Sequence, residues 1–532
     1  MNTFMNGLQN ASNYAVTENG ALAHKTTRSA VYDMFALGGA YRKRSDEDCI
    51  LLFKNALEEN ETLALKCLFY LRDCRGGQGE RRFFRVCYKW LAEKMPNVAR
   101  RNFEQISEYG RYDDVIYTLI GTPLESDALN FVKTQLALDL ECKTPSLLAK
   151  WLPSENASAY ETKRMGNIVR EYLGMTHREY RKTLSVLRER INLLERLMSA
   201  NRWDEIEFDK IPSKAGLIYK NAFARRDIIA KKYETFAKST ETKVNASTLY
   251  PYDVIAKATY GYRQGWGYGG SRHGVETIPM SATDRAMIEK YWENLPDYLE
   301  GKPCKMMCVV DTSGSMTGSE ASAPINVAIG LGMYCAERVG GPFKNHYISF
   351  SSKPQLIKIE GVDFVDKVRR IYDTNLCENT DLVKTFKMLK EIALTAKPED
   401  IPETIVVISD MQIDSGSHFY RSDVGTEMEM MRREWANAGL KIPKLVYWNV
   451  QARGSANFLD DGPNVTYVSG CSPVIFQQVV SGVTGYELML RKLESNRYEA
   501  IRYKENGGTK KLVPPFSLFH LIITFFYKSF FK

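Results

Sequence analysis

The stretch MMCVVDTSGSM at residues 306–316 constrains the fold more than any other part of the chain. Its apolar half is typical of a buried parallel strand, and open α/β sheets bind ligands where such strands end at their carboxyl edge. The polar side chains that follow are Asp311, Ser313 and Ser315. A carboxylate and two hydroxyls are hard oxygen donors, which suit Mg²⁺ or Mn²⁺. The alternative is an ordinary βα loop in which Asp311 caps the next helix.

Two later segments favour the metal site. Thr380 opens a helical stretch after a polar turn, and the apolar strand ETIVVISD ends in Asp410. Three βα loops that each deliver an oxygen ligand are what an oxygen-coordinated cation at a sheet edge requires. Taken singly, Thr380 is also compatible with a helix cap and Asp410 with a turn. Their joint occurrence in this order favours a shared cation.

With these five residues the chain resembles the von Willebrand factor A domain and its metal-ion-dependent adhesion site, over residues 303–494. The resemblance implies an α/β Rossmann-like fold in which Ser313, Ser315 and Thr380 bind the cation directly. Asp311 and Asp410 would then act through water. It also implies recognition, because a carboxylate from a partner commonly fills the open coordination position.

An enzymatic interpretation of the same strand is less favoured. Haloacid-dehalogenase phosphatases also place an aspartate after an apolar strand, but they need a second aspartate two residues on as acid/base. Here that position is Ser313, so a nucleophile would lack its proton donor. None of the six histidines stands near a candidate nucleophile in sequence. We therefore expect a non-catalytic protein.

The N-terminal half is predicted to be consecutive helices joined by short turns. One begins behind Ser45 in SDEDCILLFKNALEEN, and a long one covers HREYRKTLSVLRERINLLERLMSANRW from residue 177. This pattern is typical of a HEAT-like α-solenoid or ring, although no clear repeat period separates a solenoid from an irregular bundle. The run RGGQGER at 75–81 resembles the Gly-Gly-Gln tip of release factors, but its position between two helices favours a tight turn.

The helices followed by the metal-site domain resemble the Ro autoantigen architecture, in which a TROVE module of helical repeats joins a von Willebrand factor A domain. More closely, the chain resembles an uncharacterised, domain-of-unknown-function branch of that architecture over residues 20–500. The stretches that carry this match include LRDCRGGQGERRFF (71–84), WLPSENAS (151–158) and IPSKAGLIYKNAF (211–223). The resemblance implies RNA binding, with a basic inner ring surface for single-stranded RNA ends and an outer face for small structured RNAs. It also implies that the von Willebrand factor A domain bridges the two ends of the ring.

Charge gives weak support for a polyanionic partner. The net charge of +8 divides into +5 in residues 1–300, −3 in 301–490 and +6 in 491–532. Two local clusters of basic residues, within 75–85 and 177–190, are stronger evidence for a polyanionic partner than these sums. On charge alone, the candidate RNA-binding residues are Arg75, Arg81, Arg82, Arg181, Lys182 and Arg188. The alternative is a solvated helix face that is balanced by glutamates at helical spacing.

We divide the chain into five predicted segments. They are an N-terminal tail (1–20), a helical TROVE-like repeat domain (21–255), a glycine- and aromatic-rich connection with a helix (256–302), the von Willebrand factor A domain (303–494) and a C-terminal extension (495–532). In the connection, Tyr260–Gly274 is either a stacking surface for RNA or a flexible interdomain loop, and its glycines favour the loop. The extension is expected to be disordered, an interfacial anchor or a frame-shifted end, because its apolar stretch of about a dozen residues is too short to span a bilayer.

The expected compartment is cytoplasmic. The first residues, MNTFMNGLQNASNYAV, have neither a basic start nor an apolar core, so no signal peptide is visible. The ten cysteines are scattered and lie mostly within apolar runs, which is typical of reduced core residues.

Two functions from different classes stay open. The first is a non-catalytic RNA-binding protein of Ro-like ribonucleoprotein type, which binds single-stranded or small structured RNA. Its Mg²⁺ or Mn²⁺ site would close the ring or recruit a partner. The second is a metal-dependent protein–protein interaction scaffold without RNA, whose cation binds an acidic residue of another protein.

Overall fold

The computed structural model describes residues 13–265, 273–299, 304–350, 353–374, 379–415, 425–480 and 483–504. Within these ranges an N-terminal array of helices precedes a six-stranded sheet with helices of its own. The predicted fold class, a helical region followed by a von Willebrand factor A-like α/β domain, is therefore confirmed.

The array consists of helices of four to seventeen residues. They are α1 (Ala30–Leu37), α2 (Asp46–Glu59), α3 (Glu61–Arg72), α4 (Arg81–Lys94), α5 (Pro96–Asn102), α6 (Ile106–Tyr109), α7 (Tyr112–Leu119), α8 (Glu125–Glu141), α9 (Leu148–Trp151), α10 (Tyr160–Tyr172), α11 (His177–Arg190), α12 (Leu194–Ser199), α13 (Ser213–Ala224), α14 (Asp227–Lys238), α15 (Pro251–Ala258) and α16 (Ala282–Glu293).

Local sequence explains where several of these helices begin and end. Helix α2 begins behind Ser45, as predicted, because the Ser45 hydroxyl accepts a hydrogen bond from the backbone N–H of Asp48 at 3.1 Å. The long helix predicted from residue 177 is wrong as a single element. Asn192 adopts a left-handed conformation with φ of 48°, and its backbone N–H bonds to the carbonyl of Glu189, so α11 ends and α12 starts anew.

The strands of the α/β domain are β5 (Met306–Asp311), β6 (His346–Phe350), β7 (Gln355–Lys358), β8 (Thr404–Ser409), β9 (Lys444–Asn449) and β10 (Val465–Ser469), which follow four short strands described below. They form one sheet in the order β10-β9-β8-β5-β6-β7, in which β6 and β7 pair antiparallel and the other neighbours pair parallel. The helices of this domain are α17 (Pro324–Arg338), α18 (Phe364–Thr374), α19 (Leu382–Ala393), α20 (Glu427–Asn437), α21 (Ile475–Val479) and α22 (Gly485–Leu493).

The two faces of the sheet pack against different parts of the helical array. Successive residues of a strand point to opposite faces. Met307 and Val309 of β5 belong to the hydrophobic cluster that contains the core of α1–α7, whereas Cys308 and Val310 belong to the cluster that contains the core of α13–α16. A third cluster lies within the middle of the array, between residues 116 and 187. Both ends of the array therefore pack on the α/β domain.

Two short hairpins occur near the N-terminus and in the predicted connection, and the first runs from the predicted tail into the start of the predicted repeat domain. Strands β1 (Tyr14–Val16) and β2 (Leu22–His24) pair antiparallel, and so do β3 (Tyr262–Gly265) and β4 (His273–Glu276). Residues 1–12 and 266–272 lie outside the described residues. The described ends of the predicted glycine-rich loop are thus paired strands, because Tyr262–Gly265 pairs with His273–Glu276.

The RGGQGER run forms the tight turn between α3 and α4 that its position predicts. Gly79 has φ of +67°, a conformation that favours glycine, and a Cβ there would lie 2.2 Å from the hydroxyl of Tyr250. Gln78 is buried against Gly39 and Gly470. Because its side chain is enclosed, this turn does not present an exposed Gly-Gly-Gln tip.

The last described residues return to the beginning of the array. Arg497 pairs with Asp73 after α3, and the backbone N–H of Arg502 bonds to Asn102 at 2.9 Å. Residues 505–532, which include the predicted apolar tail, lie outside the described residues. No helix among the described residues has both the length and the apolar character needed to cross a membrane.

Candidate metal centre

The candidate site lies at the carboxyl edge of the sheet, between β5 and β8. The chain leaves β5 for β6 on one side, whereas β8 lies on the other side of β5. Such a reversal of strand order opens a crevice in which open α/β sheets bind ligands. Asp311 is the last residue of β5 and Asp410 directly follows β8. Parallel pairing of these strands brings the two carboxylates to one place.

Asp311 is fully buried and held by two local donors. The hydroxyl of Ser409 donates to its Oδ2 at 2.5 Å, and the backbone N–H of Ser313 donates to its Oδ1 at 2.9 Å. Burial and then the negative charge of Asp410 raise the pKa of Asp311 to about 7. The next α-helix begins only at Pro324, so Asp311 does not cap it.

The two serines and Asp410 lie beside Asp311. The hydroxyl oxygens of Ser313 and Ser315 are 3.1 Å apart. Burial raises the pKa of Asp410, although the Gln412 backbone N–H, the Arg453 charge and the Ser315 hydroxyl act in the opposite direction. The Oδ1 of Asp410 accepts from the Gln412 backbone N–H at 3.2 Å, but its Oδ2 has no hydrogen-bond partner among the described residues.

Thr380 lies on a separate loop, directly before α19, and contacts different groups. Asp381, not Thr380, caps α19 by accepting from the backbone N–H of Lys384 at 2.9 Å. The Thr380 hydroxyl donates to Asp414 at 2.8 Å and accepts from the Asn19 side-chain amide at 3.0 Å. Asp414 is four residues beyond Asp410, so Thr380 is tied to the loop that carries Asp410. To bind a cation together with the two serines, the Thr380 hydroxyl would have to replace its hydrogen bond to Asp414 with a bond to the cation.

Arg453 is a neighbour of the site that no motif in the sequence indicates. Its Nε lies 3.2 Å from the Oδ2 of Asp410, outside hydrogen-bond geometry, and its Nη2 donates to the carbonyl of Ser315 at 2.6 Å. The guanidinium also lies 3.7 Å from a carboxylate oxygen of Glu18. A single positive charge therefore stands between two carboxylates at the edge of the site.

The residues present fit a hard divalent cation. Two hydroxyls and two buried carboxylates form an all-oxygen donor set, which suits Mg²⁺ or Mn²⁺. A buried, negatively charged oxygen without a hydrogen bond is costly unless a cation compensates it. The Oδ2 of Asp410 is buried without a hydrogen bond, and its ion pair with the Arg453 guanidinium at 3.2 Å compensates its charge in part. Its position beside Ser315 is compatible with a ligand role for both residues.

The structure also places the candidate RNA-binding residues. The Arg82 side chain donates to the carbonyl of Tyr41 and pairs with Asp46, and Arg188 donates to the carbonyls of Ala149 and Leu152. These two side chains are thus committed to contacts within the array.

The other four candidates are more exposed. The half-exposed Arg181 pairs with Glu155 at 2.9 Å, and Arg75 donates to the carbonyl of Glu108. Lys182 and Arg81 are exposed. Of all the carboxylates in the described part of the chain, none forms an ion pair with Arg81.

Arg81 belongs to a group of cations around α4 and α7. The basic clusters that are visible in the sequence contain only some of its members. We call it the Arg81 cluster, and its members are Arg72, Arg81, Arg85, Arg111 and Lys150 with the carboxylates of Asp113 and Asp114 and the rings of Tyr117 and Trp151. The cluster could not be read from the sequence because Arg111 and Lys150 are far from Arg81 along the chain.

Two family models match the chain. Residues 17–117 and 146–302 match a domain of unknown function, DUF2828, and residues 305–511 match a second domain of unknown function, DUF7788. Uncharacterized protein L728 of Acanthamoeba polyphaga mimivirus is 27% identical over 487 residues, which cover 84% of this chain and 80% of that protein. These matches confirm the resemblance to an uncharacterised branch of domains of unknown function.

A solved structure is also similar. The crystal structure of the Deinococcus radiodurans Ro (RSR) protein covers 88% of this chain and 99% of its own, with 11% sequence identity and a TM-score of 0.47. The fold class assigned above rests on the element order and sheet of this chain itself.

Proposed function

We propose that this chain is a non-catalytic RNA-binding protein of Ro-like ribonucleoprotein type, which binds single-stranded or small structured RNA on its helical array. The observation that carries the proposal is the excess of positive charge in the Arg81 cluster. Its five cations face two carboxylates, which leaves three positive charges without a carboxylate of the cluster.

Arg81 is the member with the clearest need for an anion. Asp113 and Asp114 are already shared by Arg72, Arg85 and Arg111. Partial burial and the charges of Arg111 and Arg85 lower the pKa of Arg81, which means that its charge is locally disfavoured. A phosphate oxygen beside Arg81 would relieve this repulsion through a charge-assisted hydrogen bond.

The same cluster offers flat surfaces for bases. The guanidinium carbon of Arg111 lies 3.9 Å from the ring centroid of Trp151, and that of Arg85 lies 4.4 Å from the ring of Tyr117. Unpaired RNA bases stack on aromatic rings and on arginine planes, whereas duplex bases are already stacked. Phosphate-binding cations beside such stacks are therefore suited to single-stranded RNA.

Filter binding of single-stranded and hairpin RNA across a salt series tests the proposal. We expect Arg81→Gln to weaken binding to all sequences alike and to reduce the salt slope by about 0.7 for single-stranded RNA, because one phosphate contact is lost. Arg164→Gln is the matched control, since Arg164 is exposed and pairs with Glu161 at 2.7 Å on the surface of α10. An unmodified protein that binds no RNA, or binds it without salt dependence, would exclude the function.

The candidate cation site is the second part of the proposal. We assign Mg²⁺ or Mn²⁺ to Ser313, Ser315 and Thr380 as direct ligands, with Asp311 and Asp410 acting through water. The adjacent hydroxyls of Ser313 and Ser315 support this assignment, and so does the Oδ2 of Asp410, which is buried without a hydrogen bond. The bound cation would supply a counter-charge and an exchangeable coordination position, and the chain's own residues would orient it.

Thermal unfolding in a titration with Mg²⁺ or Mn²⁺ tests this site. A cation that binds only the folded state raises the free energy of unfolding by about 2.7 kcal/mol at a free concentration 100 times its Kd. Replacing both Ser313 and Ser315 with alanine should abolish the rise. A melting temperature that stays constant throughout the titration would count against a cation site in this protein.

The protein–protein scaffold is the alternative that the cation site itself supports. It predicts a protein partner that is captured without EDTA and lost with EDTA, and also lost with Asp311→Ala. If such a partner is captured and the unmodified protein binds no RNA, the scaffold is the better description.

A further inference from the structure

We propose that the N-terminal hairpin is an internal ligand of the candidate cation site, and that Glu18 is the carboxylate that fills its exchangeable position. This inference rests on the cation site proposed above. The hairpin comprises β1, β2 and their connecting turn, residues 14–24. The proposal assigns a role to the last residues of the predicted N-terminal tail (1–20).

The tip of the hairpin is bound to the loop that carries Asp410. The Thr17 hydroxyl donates to the carbonyl of Ile413 at 2.8 Å, and the Glu18 backbone N–H donates to the side chain of Gln412 at 2.7 Å. These bonds join residues almost 400 positions apart. They hold the backbone of Glu18 against the candidate site, whichever way its side chain turns.

Asn19 ties the tip to a predicted metal ligand. Its side-chain amide donates to the Thr380 hydroxyl at 3.0 Å and to the carbonyl of Gln412 at 2.7 Å, while its own carbonyl accepts from the Ser415 backbone at 3.1 Å. One residue of the hairpin thus bridges two of the loops that carry the candidate ligands.

The base of the hairpin is anchored independently of the site. The Nε2 of His24 lies 2.7 Å from a carboxylate oxygen of Glu429 on α20, and the backbones of His24 and Phe458 exchange two hydrogen bonds. The hairpin is fixed at both ends, so its tip is presented to the site at little further conformational cost.

The Glu18 carboxylate lies beside the site and forms one long ion pair. Its side chain is 52% exposed and accepts no hydrogen bond from the described residues, and it pairs with Arg453 at 3.7 Å. Arg453 in turn lies 3.2 Å from Asp410. The Arg453 guanidinium is therefore a counter-charge that Glu18 shares with Asp410, and it holds the Glu18 carboxylate at the rim of the site.

A carboxylate is the expected chemistry for the remaining position. Hard divalent cations take oxygen ligands, and carboxylates are the charged oxygen ligands that a protein chain supplies. Here the chain itself carries one at the rim. The cation would then clamp the hairpin to the sheet edge, and an outside partner would have to displace Glu18 first.

The test measures Mn²⁺ binding to the metal-stripped, full-length protein by calorimetry. We expect the unmodified protein to bind one Mn²⁺ and Glu18→Gln to bind it about 10-fold more weakly. Glu104→Gln is the matched control, because Glu104 is an exposed glutamate without an ion pair to any described residue. It should leave the affinity unchanged.

Hydrogen exchange provides a second measurement. Loss of a surface charge by itself would not change its result. Mn²⁺ should slow amide exchange across residues 14–24 in the unmodified protein and in Glu104→Gln, but not in Glu18→Gln. Affinity and exchange that are the same in Glu18→Gln as in the unmodified protein would overturn the internal ligand while the cation site stands. Absence of Mn²⁺ binding in the unmodified protein would overturn the cation site and the internal ligand together.

Discussion

A buried ion pair fastens the end of the α/β domain to the beginning of the helical array. The Asp73 carboxylate has no exposed surface and accepts two hydrogen bonds from the Arg497 guanidinium, one of them at 2.7 Å. It also accepts from the Tyr498 hydroxyl at 2.9 Å and from the backbone N–H groups of Arg75 and Gly76 at 2.9 and 3.1 Å. One side chain therefore satisfies five donors from two parts of the chain.

Replacing Asp73 with alanine should destabilise the protein strongly. Removal of one partner of a buried ion pair costs about 3–5 kcal/mol, because the remaining charge is left uncompensated. The Arg497 side chain is 32% exposed, so water solvates part of its charge and we expect the lower end of this range. Asp48→Ala is the matched control, since Asp48 pairs with Arg44 on the surface and should cost about 0–1 kcal/mol.

Urea unfolding of the full chain measures both changes, and hydrogen exchange locates them. Exchange should increase first in residues 496–503 of Asp73→Ala, because these residues lose their attachment to α3. If Asp73→Ala costs no more than Asp48→Ala, the ion pair does not hold the two parts together and the reasoning is refuted.

The same carboxylate predicts a pH dependence. Burial alone would raise the pKa of Asp73, but the hydrogen bonds and charge of Arg497, together with the Gly76 and Arg75 backbone N–H groups, outweigh it and lower the pKa. A carboxylate whose pKa is lower in the folded state stabilises the fold above its unfolded value of about 3.9. This stability is lost as the pH falls through the folded pKa. The difference in unfolding free energy between the unmodified protein and Asp73→Ala should therefore shrink below about pH 3.9.

Two further predictions concern packing and thiols. A Cβ at Gly330 would lie 3.1 Å from the backbone of Pro251, so Gly330→Ala should lower the melting temperature at a cost of about 1–3 kcal/mol, whereas Gly340→Ala, which meets open space, should not. Equal melting temperatures would contradict the close approach of α15 to α17. Burial raises the pKa of the Cys67 thiol, while Cys74 is exposed. Mass spectrometry after maleimide treatment should find Cys74 modified in the native protein and Cys67 only after unfolding. Rapid maleimide labelling of Cys67 in the native protein would contradict this prediction.

The sheet and the position of the candidate site could be predicted because their signals are local. A buried parallel strand appears in the sequence as an apolar run, and its carboxyl end is marked by the first polar residue that follows. Both features lie within a few residues in MMCVVD and IVVISD. The positions of Asp311 and Asp410 therefore followed from the sequence, and parallel pairing of β5 and β8 placed them side by side.

The contacts that surround the site could not be predicted because they join distant segments. Asn19-Gly20 is a hairpin-turn signal that was available in the sequence, but it indicates only a local turn. Nothing near residue 19 indicates that it contacts Thr380, 361 residues away. The same limit applies to charge, because a cluster of arginines looks alike whether it faces solvent or, as for Arg188, bonds to carbonyls within the fold.

The two faces of the sheet pack against different ends of the helical array, so the array depends on the α/β domain for a complete core. The Tyr32 hydroxyl accepts from the backbone N–H of Tyr467 at 2.8 Å, and the Gly39 backbone N–H donates to Ser469 at 3.1 Å. The first helix and the turn that follows it thus share buried polar contacts with β10 as well as an apolar core. A fragment of residues 21–302 would expose these groups and the apolar surface around them. We expect such a fragment to bind a hydrophobic dye and to self-associate, and co-expression with residues 303–504 to suppress both effects. A monomeric fragment that unfolds cooperatively by itself would mean that the array has its own complete core, and the sheet would then be an appended domain and not the element that joins the two ends.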